Sequence, residues 1–266
     1  MIDLHNHILP QIDDGSRSVE ETIEMAKIAA SEGISKIIIT THHRKPQYII
    51  DKQDILDKVK FTNELFKKEN IDIEIFPGME IYIAKDIPLK LKNNELLSLN
   101  NSSYLLIEFP MREDVDYIDD TLHEIKVQGY KPIIAHPERY LKVIKDPNYV
   151  KDLIEEGCYI QINANSLTGF FGEDSKKTAE ILVKHKMVHL ISTDAHSSKS
   201  RTPRMRQAIE IMKEISDEDY VENIVNNAYK VFNDQEIKIE TPIEYQAGKG
   251  FRNKIKGLLK AKKNKN

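Results

Sequence analysis

Short, nearly continuous apolar runs alternate with amphipathic stretches from one end of the chain to the other. The runs fall at 1–7, 34–43, 71–83, 104–110, 132–137, 158–164 and 188–194. They lack a strict in/out alternation, which suits parallel strands buried on both faces. The intervening stretches carry apolar residues at helical spacing, around 52–70, 115–128, 147–156, 174–186 and 203–230. A further helix starts at a Ser-x-x-Glu capping box, Ser18 with Glu21, and ends at Gly33. Asp146-Pro147 and Thr202-Pro203 each offer an N-cap followed by proline at the first helical position. Seven strand–helix units favour an α/β fold closed as a (β/α)7 TIM-like barrel over an open doubly wound sheet. Neither a Gly-x-Gly-x-x-Gly nor a Walker loop occurs, so dinucleotide and P-loop chemistry lack support.

Composition narrows this reading. The chain has 266 residues, 40% hydrophobic and 31% charged, with a formal net charge of −4. Lys249 to Asn266 contains eight Lys/Arg and no acid, which leaves 31 basic against 43 acidic groups in the first 248 residues. An acidic body with a basic tail is not a general nucleic-acid binder. The expected division is a barrel over residues 1–236 and a linker plus basic tail over 237–266. In the tail, Phe251, Ile255, Leu258 and Leu259 share one helical face opposite lysines, a pattern suited to peripheral contact with an anionic membrane. No run of 18 apolar residues is present, the start does not resemble a secretory signal, and Cys158 is the only cysteine. These features lead to the expectation of a cytoplasmic protein.

The chemistry lies at the ends of the apolar runs. His5 and His7 close the first and His42 and His43 the second. Glu80 falls in the third, Glu108 ends the fourth, His136 the fifth, and Asp194 and His196 the last. In a barrel these ends converge at one mouth. Positions i and i+2 of a strand point the same way, so His5-x-His7 and Asp194-x-His196 each present two ligands together. Asp13 and Asp14 in the first loop add carboxylates beside the same rim. Imidazole and carboxylate suit divalent first-row metals, and with His43 and Asp13 set aside as neighbours the other nine groups suffice for two or three ions. His123, His185 and His189 stand in helical or pre-strand contexts and read as non-ligands. Arg139 and Arg201 follow the His136 and Asp194 motifs closely, and guanidinium is a bidentate partner for phosphate.

MIDLHNHILPQIDDGS, TTHH, FPGMEI, LLIEFP, IIAHPER and STDAHSSKSR resemble the motifs of the polymerase and histidinol phosphatase (PHP) superfamily. Within it, the chain is similar to the bacterial manganese-dependent protein-tyrosine phosphatases encoded with capsule and exopolysaccharide genes. The resemblance spans roughly residues 1–235. It implies a distorted (β/α)7 barrel and a three-metal centre, manganese before iron or zinc. The matching ligand positions are His5, His7, Asp14, His42, Glu80, Glu108, His136, Asp194 and His196, and the matching phosphate-binding arginines are Arg139 and Arg201. The implied partner is a phosphotyrosine-bearing tyrosine kinase of the polysaccharide machinery. The residues themselves leave three alternatives: a small-molecule phosphatase such as a histidinol-phosphate phosphatase, a metal-dependent amidohydrolase, and a regulatory metal-binding protein without turnover. A thiol-type tyrosine phosphatase is excluded, because the position six past Cys158 is Ala164 rather than arginine.

Overall fold

The computed structural model describes residues 1–246. Among them lie nine strands, all paired in parallel: β1 Ile2–Asn6, β2 Lys36–Ile39, β3 Thr41–His43, β4 Glu74–Phe76, β5 Met79–Tyr82, β6 Tyr104–Glu108, β7 Lys131–Ala135, β8 Tyr159–Asn163 and β9 Leu190–Ser192. They form two sheets, ordered β1-β2-β4 and β3-β5-β6-β7-β8-β9. The second and third apolar runs each form one stave of the barrel in two pieces, split at Thr40 and at Pro77-Gly78. Gly78 fits that break because a Cβ there would lie 2.8 Å from the Ile39 carbonyl oxygen. Only a residue without a side chain permits so close an approach.

The first stave meets the last. Asp194 N–H donates to the His5 carbonyl (2.8 Å) and His7 N–H to the Ala195 carbonyl (2.9 Å). Asp3 reinforces this seam by accepting from the Thr193 backbone N–H and hydroxyl. Seven parallel staves therefore form the distorted barrel that the apolar runs imply.

Among the described residues ten α-helices accompany the strands: α1 Val19–Ser31, α2 Lys52–Lys68, α3 Ile87–Lys92, α4 Ile118–Val127, α5 Leu141–Lys145, α6 Asn148–Glu155, α7 Ala164–Leu167, α8 Glu173–Lys184, α9 Arg206–Ile215 and α10 Glu218–Phe232. Ser18 caps α1 as expected, its Oγ accepting from Glu21 N–H. Asp146 accepts from Asn148 N–H at the start of α6. Two expectations fail. The stretch 203–230 is two helices, because Ser216 is extended between them. Thr202-Pro203 caps nothing. The start of α9 is capped from afar by Glu32, whose Oε2 accepts from Met205 N–H (3.1 Å) and Arg206 N–H (3.0 Å).

Strand residues sort into two apolar clusters. Ile2, Leu4, Ile38, Tyr104, Leu106, Ile133, Ala135, Tyr159 and Leu190 pack together, joined by Val231 and Ile237. Their strand neighbours Leu105, Ile107, Ile134, Ile160, Ile162 and Ile191 belong to the larger layer that includes the helices. This alternation is the two-residue strand period seen in a closed barrel. Followed toward the C-terminal ends, the inner rows turn polar: Tyr104, Leu106, Glu108 on β6; Tyr159, Gln161, Asn163 on β8; Leu190, Ser192, Asp194 on β9 and just beyond. Past α10, the segment 237–246 stays against the barrel. Ile243 N–H donates to the His185 carbonyl, and Asn148 and Tyr245 exchange two hydrogen bonds. The tail pattern of 251–259 lies outside the described residues.

Candidate metal centre

All nine sequence-selected acids and imidazoles come together at the C-terminal mouth. Four groups have ligand atoms within 4.8 Å of one another: His7, Asp14, His42 and His196; His5, His7 and Glu80; His5, His136 and Asp194; His42, Glu80 and Glu108. His5, His7, Glu80, Glu108, His136, Asp194 and His196 are buried, His42 is partly buried, and Asp14 is exposed at the rim. Glu80 sits at the centre. Its Oε1 is 2.9 Å from His136 Nε2, and its Oε2 is 2.9 Å from His42 Nδ1, 3.4 Å from His5 Nε2 and 3.5 Å from His7 Nε2.

The proton positions on two rings follow from their partners. Gln161 uses its amide nitrogen on the Ile162 carbonyl and on Asn163 Oδ1, so its Oε1 accepts from His5 Nδ1–H at 2.9 Å. Asp13 Oδ2 likewise accepts from His7 Nδ1–H at 2.9 Å. In the neutral rings both Nε2 atoms are then lone pairs, and they face each other at 3.2 Å. Two lone pairs at that distance repel unless a cation lies between them. His136 Nδ1 and Glu108 Oε2 are buried without a hydrogen-bond partner among the described residues. Convergent lone pairs, buried carboxylates and outer hydrogen bonds that fix the tautomers together fit a divalent metal centre.

The electrostatics point the same way. Burial disfavours a charged His5, yet the Glu80 and Asp194 carboxylates outweigh it and raise the ring to about 9. Burial also works against an ionised Glu80, but His5 and His42 hold it well below the usual carboxylate range. Burial and the neighbouring Glu80 charge push Glu108 up to about 7. Burial and the nearby Arg139 bring His136 down to about 4. Such opposed shifts in one small volume mark a candidate functional site.

Two of the positioning residues carry unusual backbone. His136 (φ 36°) and Asp194 (φ 50°) adopt left-handed conformations uncommon outside glycine. The turn at His136 starts the short helical turn Pro137–Arg139 and brings Arg139 to the mouth. Arg139 Nη1 lies 3.1 Å from Asp194 Oδ2, which also receives Arg201 Nη2 (2.5 Å) and Asn163 Nδ2 (2.6 Å). Asp194 Oδ1 faces His5 Nε2 at 3.3 Å. One carboxylate thus joins the cluster to both guanidiniums.

The remaining histidines stay apart from the cluster. His43 Nε2 accepts from Lys90 Nζ (2.7 Å), His185 lies against Ile243, and buried His189 accepts from Ile160 N–H through Nδ1. Cys158 is buried, and that burial pushes its thiol up to about 12, opposite to what a thiolate nucleophile needs. Glu138 is fully buried, and its Oε1 accepts from Asn163 N–H and Ser166 Oγ–H, so it ties the arginine turn to β8 and α7. Gln161 and Asn163 carry no metal-ligand signature in the sequence. Two amides closing an otherwise apolar run were the available signal.

Comparisons with known proteins agree with the geometry. Tyrosine-protein phosphatase YwqE of Bacillus subtilis is 34% identical over 242 residues, covering 91% of this chain and 95% of its own. Tyrosine-protein phosphatase CpsB of Streptococcus pneumoniae is 35% identical over 241 residues, covering 88% and 99%. A crystal structure from the work on YwqE from B. subtilis and CpsB from S. pneumoniae, described as unique metal-dependent tyrosine phosphatases, superposes with a TM-score of 0.90. It is 33% identical, and the match covers 93% of this chain and all of that one. The family model for capsular polysaccharide synthesis, CpsB/CapC, matches residues 1–233, and the chain belongs to that family.

Proposed function

We propose that this chain is a metal-dependent protein-tyrosine phosphatase acting on a phosphorylated tyrosine kinase of the polysaccharide machinery. In this reading His5, His7, Asp14, His42, Glu80, Glu108, His136, Asp194 and His196 hold two or three divalent ions, manganese first, and Arg139 and Arg201 bind the phosphoryl group. The observation that carries it is the junction at Asp194, with imidazoles on one oxygen and two guanidiniums on the other. A phosphate laid across the cluster meets both arginines.

Bound divalent ions supply Lewis acidity toward phosphoryl oxygens and lower the pKa of water. The chain's own part is positioning and charge. The Arg139 and Arg201 side chains are each about one-fifth exposed (21%), so neither is sealed off from a phosphate at the mouth. They neutralise charge that grows on the phosphoryl oxygens in the transition state. Gln161 and Asp13 fix which nitrogen of His5 and His7 faces inward.

The test uses chelated protein reloaded with Mn²⁺, Fe²⁺ or Zn²⁺ and assayed on a phosphotyrosine peptide beside histidinol phosphate. The peptide is the better substrate, and Mn²⁺ restores activity. Arg139→Ala or Arg201→Ala lowers kcat/KM on the order of 100-fold with full metal content. Faster turnover of histidinol phosphate, or unaltered kinetics in both variants, refutes the reading. The catalytic unit is taken as residues 1–236, in the cytoplasm, with 237–266 as a connecting segment, packed on the barrel as far as 246, and tail. The basic tail supports contact with an anionic membrane surface where a membrane-bound kinase resides. Intact protein then floats with anionic vesicles and a chain ending at 248 does not; equal flotation removes the tail from the proposal.

A further inference from the structure

Between α7 and α8 the chain runs Gly169-Phe170-Phe171-Gly172, with the two glycines at φ +88° and +90°. Those conformations turn the chain sharply and leave two phenylalanines at its tip. Both guanidiniums lie over the Phe171 ring, Arg139 at 4.2 Å and Arg201 at 5.3 Å from its centroid. Phe170 meets Phe171 edge-on, with centroids 5.1 Å apart and planes at 89°. Phe171 is half-buried, whereas Phe170 is 49% exposed.

The loop is pinned in place. Phe170 N–H donates to the Asn165 carbonyl (3.0 Å) and Gly172 N–H to the Gly169 carbonyl (3.1 Å). Asn165 Nδ2 reaches the carbonyls of Thr193 and Thr202, which flank the Asp194 and Arg201 segment. Ser166 is bonded to Glu138, next in sequence to Arg139. Thus the aromatic pair is fixed to the same pieces of chain that carry the arginines.

A guanidinium over an aromatic ring is held there by cation–π attraction and still has N–H groups for oxygen acceptors. Phe171 therefore positions two phosphate-binding groups. Phe170, edge-on to Phe171, presents a half-exposed apolar ring at the tip of the same loop. In an aryl phosphate the leaving group is a flat ring one oxygen away from phosphorus, and edge-to-face pairing between rings is favourable. An alkyl phosphate offers no such surface.

We propose that Phe170 receives the phenyl ring of the phosphotyrosine while Phe171 holds Arg139 and Arg201 for its phosphate, so the pair selects aryl over alkyl phosphates. This rests on the phosphatase reading above. The test uses the full-length manganese-loaded enzyme and two peptides of one sequence, phosphorylated on tyrosine or on serine. In Phe170→Ala the phosphotyrosine-to-phosphoserine ratio of kcat/KM falls about five- to ten-fold, through KM. In Phe171→Leu the inhibition constant of inorganic phosphate rises several-fold, and Phe171→Tyr restores it. An unchanged ratio in Phe170→Ala, or equal losses on both peptides, overturns the proposal and leaves the phosphatase reading intact. Wild-type enzyme that does not cleave the phosphotyrosine peptide overturns both.

Discussion

Asp13 holds three groups at the rim without belonging to any of the convergent ligand sets. Its Oδ2 accepts from His7 Nδ1–H and from the His42 backbone N–H, and its Oδ1 accepts from Gly15 N–H. It therefore sets the tautomer of one imidazole and the backbone position of another. Outer hydrogen bonds of this kind commonly contribute 10- to 100-fold to metal affinity. Asp13→Ala is expected to weaken metal binding by about that factor in competition with a fluorescent chelator. Unchanged affinity would mean that His7 needs no such support. At this scale the sequence is informative where side-chain direction is forced. His5-x-His7 and Asp194-x-His196 share a face because of the strand period, and strand ends share a mouth because of the barrel. Gln161 escaped notice because a neutral amide has no metal preference; its role appears only once its oxygen is seen on His5. Phe171 escaped for a similar reason, since nothing in Gly-Phe-Phe-Gly shows that two guanidiniums, 32 residues before it and 30 after, settle over one ring.

The same contrast holds for whole elements. Apolar runs mark all seven staves, because a parallel strand covered on both faces needs apolar residues throughout. The breaks at Thr40 and Pro77-Gly78 are less visible, since they come from how closely neighbouring staves approach. Helices with local caps, such as α1 at Ser18, are legible from a few adjacent residues. The start of α9 is not, because its cap is Glu32 at the end of α1. Geometry between distant elements decides it, while Thr202-Pro203 only imitates a local signal. Loss of a side-chain cap typically costs about 1 kcal/mol. Glu32→Ala is expected to lower Tm by roughly 2–4 °C in a domain of this size, with kcat/KM unaffected. Calorimetry checks it; an unchanged Tm would show that water replaces the carboxylate at no cost.

For the molecule as a whole, the decisive event is that the first stave closes on the last. The bonds between His5 and Asp194 and between His7 and Ala195 join segments nearly 190 residues apart. No local pattern contains that contact; it follows only from counting staves and accepting closure. Closure also concentrates four carboxylates and five imidazoles at one largely buried mouth, which links folding to cation binding. A ligand that binds only the folded chain stabilises it by about 2.7 kcal/mol at a concentration 100 times its Kd. Removing the metal with a chelator should therefore lower Tm by roughly 5–10 °C, and adding back Mn²⁺ should restore it. The gain has a definite pH dependence. Imidazoles must be neutral to donate to a metal, so protons compete with the ions. The difference in Tm between loaded and chelated protein should shrink as the pH falls, beginning near the His5 value of about 9. If the staves met without sharing cations, Tm would be the same with and without chelator at every pH. That result would leave the barrel standing and take away its chemistry.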